Sequence, residues 1–325
     1  MSPDLPPFRP RFPWWGSDLQ TIANRLRGVS TSLAPHASER LAFALPDGTG
    51  DTLLASLDRP ATPKQGTPLA ILIHGLTGAE DSLYVLSTAR LMLDRGRRVL
   101  RLNLRGAGPS RSLCGQHYYA GRSQDFRSLL SVLPAELTGD GIVAVGYSLG
   151  GAMLLKYLGE EGAAAPLAAA ATVSAPIDLA ATCRYMMRRR NGVYHRYILG
   201  LMKVEATAEG AVVSAAERAA ILAARTIWDY DDAFIAPRYG FGRAEDYYDR
   251  CRPTRFMAAI RVPTLTLAAL DDPWIPGALY KGYDWTSNSS LTPLLSEQGG
   301  HVGFHGMGSR QPWSDLAVAR FFDHG

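Results

Sequence analysis

Apolar positions in this chain follow two rhythms. Leu69-Ala70-Ile71-Leu72-Ile73 is an uninterrupted apolar run, the pattern of a strand covered on both faces. Arg98 to Leu104, Gly141 to Gly146, Leu167 to Ser174, Val262 to Ala269 and Leu291 to Leu295 read as further strands. Between them, Asp81 to Arg95, Ser123 to Leu133 and Leu149 to Glu160 space their apolar residues at helical intervals, and a last helix is expected near Trp313 to Phe322. Strand and helix in regular alternation predict an α/β protein, a mainly parallel twisted sheet with helices on both faces. Ahead of this core, Glu39 to Leu45 and Asp51 to Asp58 flank Asp47-Gly48-Thr49-Gly50 and predict a β-hairpin.

Two segments depart from the alternation. Residues 178–255 hold several helix-like stretches and no strand pattern, so a helical cap is expected there, inserted between two halves of one sheet. The first 38 residues are rich in proline, arginine and tryptophan and are expected to form an irregular arm over the body. The chain thus reads as one domain over 1–325, with an arm (1–38) and a cap (178–255).

Composition narrows the function classes. With 46% hydrophobic and 20% charged residues, the chain supplies a large core and is too apolar for a disordered protein. A net charge of +4 is small and dispersed, which excludes nucleic acid as the expected partner. Cys114, Cys183 and Cys251 match no zinc or redox spacing, so a reducing compartment is expected. The first 11 residues carry no secretory apolar segment, and no run of about 20 apolar residues occurs, so the expected location is the cytoplasm.

The candidate chemistry begins at Gly146-Tyr147-Ser148-Leu149-Gly150-Gly151, a G-x-S-x-G pattern placed directly after a predicted strand and before a predicted helix. That context presents a serine at a sharp strand-to-helix turn, the requirement for an exposed nucleophile. His74-Gly75-Leu76-Thr77-Gly78 follows the first core strand, and the amide of Leu76 can converge with that of Leu149 on a developing oxyanion. His74 is read as bonding loop backbone and, with Tyr147, as a candidate for the substrate-binding wall. The acid should lie in Asp271-Asp272-Pro273-Trp274-Ile275-Pro276, at the end of a later strand. Asp272 is preferred for its position four residues before Pro276, which leaves Asp271 to bind loop amides or to cap the next helix. His301, between Gly300 and Gly303, is the candidate general base. His305 is expected to line the pocket or face solvent, and His36, His195 and His324 to lie on the surface. No ligand spacing for a metal and no nucleotide fingerprint occurs, so neither metal nor cofactor is expected. Cys183 to Lys203 mixes arginines with large apolar residues, which fits a packed cap helix with solvated arginines or a mobile lid that touches a membrane surface transiently.

Taken together, Pro13-Trp14-Trp15, Leu19-Gln20-Thr21, His74 to Gly78, Asn103-Leu104-Arg105-Gly106, Gly146 to Gly151, Asp271-Asp272-Pro273 and Gly299 to Phe304 resemble the YheT-like branch of the α/β-hydrolase superfamily. The resemblance implies a carboxylic-ester hydrolase of short to medium acyl esters, with acylglycerols or phospholipids as substrates in some relatives. Asp18 replaces the histidine usual in the arm motif, and Tyr118-Tyr119-Ala120-Gly121 replaces Tyr-His-Ala-Gly, with His117 two places earlier. Acyl transfer through the same serine and a catalytically silent lipid-binding protein are the alternatives.

Overall fold

The computed structural model describes residues 5–26 and 32–324. Eight strands form one sheet in the order β1-β2-β4-β3-β5-β6-β7-β8. They are β1 (Ala37–Ala44), β2 (Thr52–Arg59), β3 (Leu69–Ile73), β4 (Val99–Leu102), β5 (Ile142–Tyr147), β6 (Ala169–Val173), β7 (Thr264–Ala269) and β8 (Leu291–Ser296). β1 and β2 are the expected antiparallel hairpin, β2 meets β4 antiparallel, and every later pairing is parallel. The five residues of β3 and the six of β5 are buried throughout, as their unbroken apolar sequences require.

Alternation along each strand divides the core in two. Ile71, Ile73 and Ala144 face α3 (Ser123–Val132) and α4 (Leu149–Glu161), where they pack with Phe126, Leu129, Leu154 and Leu158. Leu72, Val143 and Val145 face α2 (Leu83–Asp94) and α9 (Trp313–His324), where they meet Leu86, Ala89 and Val318. Arg105, fully buried, donates to Asp47, Asp51 and Asp125, so the Asn-Leu-Arg-Gly stretch ties the hairpin turn to α3. A buried cation with this many carboxylate partners is held by geometry that few other side chains supply.

The cap lies between β6 and β7 and contains α5 (Leu179–Met186), α6 (Gly192–Ala206), α7 (Ala215–Ala223) and α8 (Ala244–Cys251), with short helical turns between them. It has its own apolar cluster, including Ile198, Met202, Ile221 and Phe234. The arm departs from expectation. It carries a regular helix, α1 (Ser17–Leu26), rather than irregular chain throughout. Among the described residues no helix is long and apolar enough to cross a membrane.

Candidate active site

β5 passes into α4 through Ser148, whose φ of 49° and ψ of −121° lie where L-residues are rarely found. Sterics hold the turn there. A Cβ on Gly146 would lie 2.6 Å from the Gly150 carbonyl oxygen, and one on Gly150 would lie 2.3 Å from that of His74. Only glycine fits at either position, and the Ser148 amide is anchored to Val173 O at 2.9 Å. The serine is therefore fixed at the end of the strand, above the sheet edge.

Two distant loops meet it. Asp272, on the turn after β7, accepts the amides of Trp274 (2.7 Å) and Ile275 (3.1 Å) through Oδ1. Its Oδ2 lies 2.8 Å from His301 Nδ1, and His301 Nε2 lies 3.0 Å from Ser148 Oγ. A carboxylate on Nδ1 holds the proton on that nitrogen and leaves Nε2 as acceptor for the serine hydroxyl. The Trp274 ring stacks on the imidazole at 4.3 Å between centroids. Asp271 takes the other role foreseen for it, accepting the Gly300 amide at 2.9 Å, and burial pushes its carboxyl up from the usual range.

The loop carrying His301 rests on α1. Thr21 Oγ1 accepts the His301 amide (2.9 Å), Asn24 Nδ2 donates to Val302 O (3.0 Å), and fully buried Gln20 accepts the His305 amide (2.8 Å) while donating to His305 O (3.1 Å). Contact is close enough that a Cβ on Gly303 would lie 2.4 Å from Gln20 O. This gives Leu19-Gln20-Thr21 a physical task, holding the loop of His301, that local pattern does not reveal. His305 itself is buried under the arm near Trp14, so it neither lines the pocket nor faces solvent.

The two amides expected to face an oxyanion lie in the loop after β3 and at the start of α4. In the loop after β3, Gly75 N donates to the Tyr84 hydroxyl (2.9 Å), Thr77 N to the Tyr118 hydroxyl (2.7 Å), and Gly78 N to Gly75 O (3.1 Å). Leu76 lies between Gly75 and Thr77 in this loop and lines the space in front of Ser148. Leu149 N opens α4, where first-turn amides lack intrahelical acceptors and the helix dipole favours negative charge. A Cβ on Gly75 would lie 3.0 Å from Ser148 Cβ, so the loop abuts the serine.

Other expectations need correction. Tyr147 is buried and does not line the substrate wall; its hydroxyl bonds Thr88 on the α2 side of the sheet, the face it shares with Val143 and Val145. His74 does not line it either. Its Nδ1 donates to Gly75 O (2.7 Å) and its Nε2 accepts the Leu104 amide (3.0 Å), the backbone-bonding role. His195 is buried in the cap, accepting Ile227 N at 3.0 Å, and His36 is half-buried against Asp94. The expectation for His324 falls on a side chain outside those described.

Burial lowers the His74 pKa from 6.5 to about 4. Between those values the unfolded chain takes up a proton that the native chain refuses, so stability contributed at this position falls as the pH drops. The penalty of His74→Asn is therefore expected to be larger at pH 7.5 than at pH 5, which urea unfolding of both proteins at the two pH values would check.

Two cavities open on Ser148 and His301. One passes under the cap between Leu179, Cys183, Met186, Ile198 and Ile275, a mainly apolar space of about 670 Å³ including its mouth. The other is edged by Thr21, Asn24, Arg25, Thr77, Ser82 and Tyr84 and is more polar. Spaces of this size suit a small molecule.

A model of the α/β-hydrolase fold matches residues 68–306. The chain belongs to the α/β-hydrolase family. Within it the chain falls in the YheT-like branch: it is 33% identical over 295 residues to the esterase candidate YheT of Escherichia coli (strain K12), covering 89% of this chain and 84% of that one. It is 29% identical over 239 residues to the phospholipase ABHD3 of Mus musculus, covering 73% of this chain and 58% of the mouse protein. Among solved α/β-hydrolase structures, the Pyrococcus furiosus esterase Pf2001 superposes with a TM-score of 0.61 at 13% identity, over 89% of this chain and 91% of its own.

Proposed function

We propose that the protein is a serine carboxylic-ester hydrolase of short to medium acyl esters. The observation that carries this reading is the unbroken chain from Asp272 through His301 to Ser148, with links of 2.8 and 3.0 Å, at a serine that opens on both cavities. The names of the Escherichia coli and mouse relatives, an esterase candidate and a phospholipase, lend support to ester cleavage.

The reaction runs in two halves. Ser148 Oγ bonds to the ester carbonyl carbon as its proton passes to His301 Nε2, and the carbonyl electron pair moves to oxygen, where the Leu76 and Leu149 amides receive the charge. Collapse expels the alcohol, which takes the proton from His301. Water then attacks the acyl-enzyme, gives a proton to the same imidazole, and the acid leaves as that proton returns to Ser148. The apolar cavity takes the acyl chain and the more polar one the alcohol.

A fluorophosphonate probe tests the assignment directly. It is expected to label Ser148, located by mass spectrometry of the digested protein, in parallel with loss of p-nitrophenyl butyrate hydrolysis. A probe that leaves Ser148 unmodified in an active protein would sink the reading.

A further inference from the structure

Two neighbouring helices leave large apolar side chains exposed. α1 buries Gln20 and half-buries Thr21 and Asn24 against the loop of His301, while Leu19 and Leu26 are 40% and 63% exposed. α6 buries the His195, Ile198, Leu199 and Met202 edge and exposes Val193 (74%), Arg196, Tyr197 (41%) and Val204 (67%), with no carboxylate among its exposed positions. Before α1, Phe12 and Trp15 are 70% and 59% exposed and pack edge to face at 5.2 Å.

These elements form one surface. Asp18 of α1 accepts from Arg190 (2.5 Å) and from the Tyr194 hydroxyl (2.9 Å), and the Arg25 guanidinium lies 5.1 Å from the centre of the Tyr197 ring. The resulting seam joins exposed aromatic and aliphatic side chains to the exposed arginines 25, 188, 189, 190 and 196. Scattered apolar residues on a surface need no explanation, but a row of them rimmed by cations marks an interaction site. Arginines favour an anionic partner, and indole and phenyl rings favour the boundary between water and hydrocarbon. The same seam rims the more polar of the two cavities, through Thr21, Asn24 and Arg25 on one side and Tyr197, Ile198 and Leu201 on the other.

We propose that the seam between the arm and α6 docks on the anionic headgroup layer of a lipid bilayer, with Phe12, Trp15, Leu19 and Val193 entering the interface. Docked so, the mouth of that cavity faces the lipid, and a lipid molecule reaches Ser148 without crossing bulk water. This goes beyond ester hydrolysis and does not need it, since binding can be read without turnover.

The test is co-sedimentation of the 325-residue chain with vesicles of diether phosphatidylcholine, alone or with diether phosphatidylglycerol, lipids that carry no acyl ester to cleave. The wild-type protein is expected to partition onto the anionic vesicles. Phe12→Ser with Trp15→Ser is expected to lower that partition at least about tenfold. Arg189→Glu with Arg196→Glu is expected to lower it by a similar factor on anionic vesicles and to leave binding to neutral ones unchanged. All four positions are exposed, and unchanged p-nitrophenyl butyrate turnover would confirm that both variants are folded; Val193→Ser gives the same test from the cap side. Wild-type protein that stays in the supernatant with anionic vesicles at low salt, or partition equal in wild type and all variants, would overturn the proposal.

Discussion

Ser148→Ala is expected to lower kcat for p-nitrophenyl butyrate by about 10⁴-fold or more while leaving the fold in place. The substitution removes Oγ, the atom that lies against His301 Nε2, and with it the bond that forms the acyl-enzyme. The imidazole keeps its carboxylate, and the Leu76 and Leu149 amides keep their positions, so a residual acceleration from binding and oxyanion stabilisation remains. Alanine is no less suited than serine to a φ of 49°, and the clashes that hold the turn belong to Gly146 and Gly150 rather than to residue 148. Stability should therefore change by less than about 1 kcal/mol. Steady-state kinetics with urea unfolding of the same preparation checks both halves, and retention of even a few per cent of activity would remove Ser148 from the reaction.

What was legible in the sequence was what local chemistry dictates. The core strands announce themselves because burial on both faces demands unbroken apolar runs, as in Leu69 to Ile73. The turn at Ser148 announces itself because two close backbone approaches, at Gly146 and Gly150, each require glycine. His301 and Asp272 were read as candidates from their places after strands, and the fold brings both to Ser148; Trp274 lay unrecognised beside them because stacking on an imidazole leaves no periodic trace. The errors have identifiable causes. Tyr147 alternates with Val145 and Val143, so period two already assigns it to the α2 face; adjacency to the serine in sequence misled. His195 lies three, four and seven residues before Ile198, Leu199 and Met202, a helical stripe that marks it as buried. α1 was hidden differently. Its apolar residues, Leu19, Ile22, Ala23 and Leu26, do follow a helical period, but the proline- and arginine-rich flanks masked it. Its polar edge binds residues about 280 positions away, a distance over which no sequence pattern reports.

Asp272→Asn is expected to cost about 10³- to 10⁴-fold in kcat/KM, and Asp271→Asn less than about tenfold, although the two residues are adjacent. The difference follows from what each carboxylate touches. Asp272 Oδ1 is already committed to two backbone donors, Trp274 N and Ile275 N, so an asparagine there must keep its carbonyl oxygen toward them. Its amide nitrogen then faces His301 Nδ1 and donates to it. A donor at that place forces the imidazole proton onto Nε2, where the ring can no longer accept the Ser148 hydroxyl, and it withdraws the negative charge that would stabilise the imidazolium. Asparagine at 271 meets no such conflict, because its carbonyl oxygen serves the Gly300 amide as the carboxylate does. Kinetics of the two variants side by side separates the roles. A larger loss at 271 would mean that the loop of His301 swings so that the neighbouring carboxylate serves as acid during turnover.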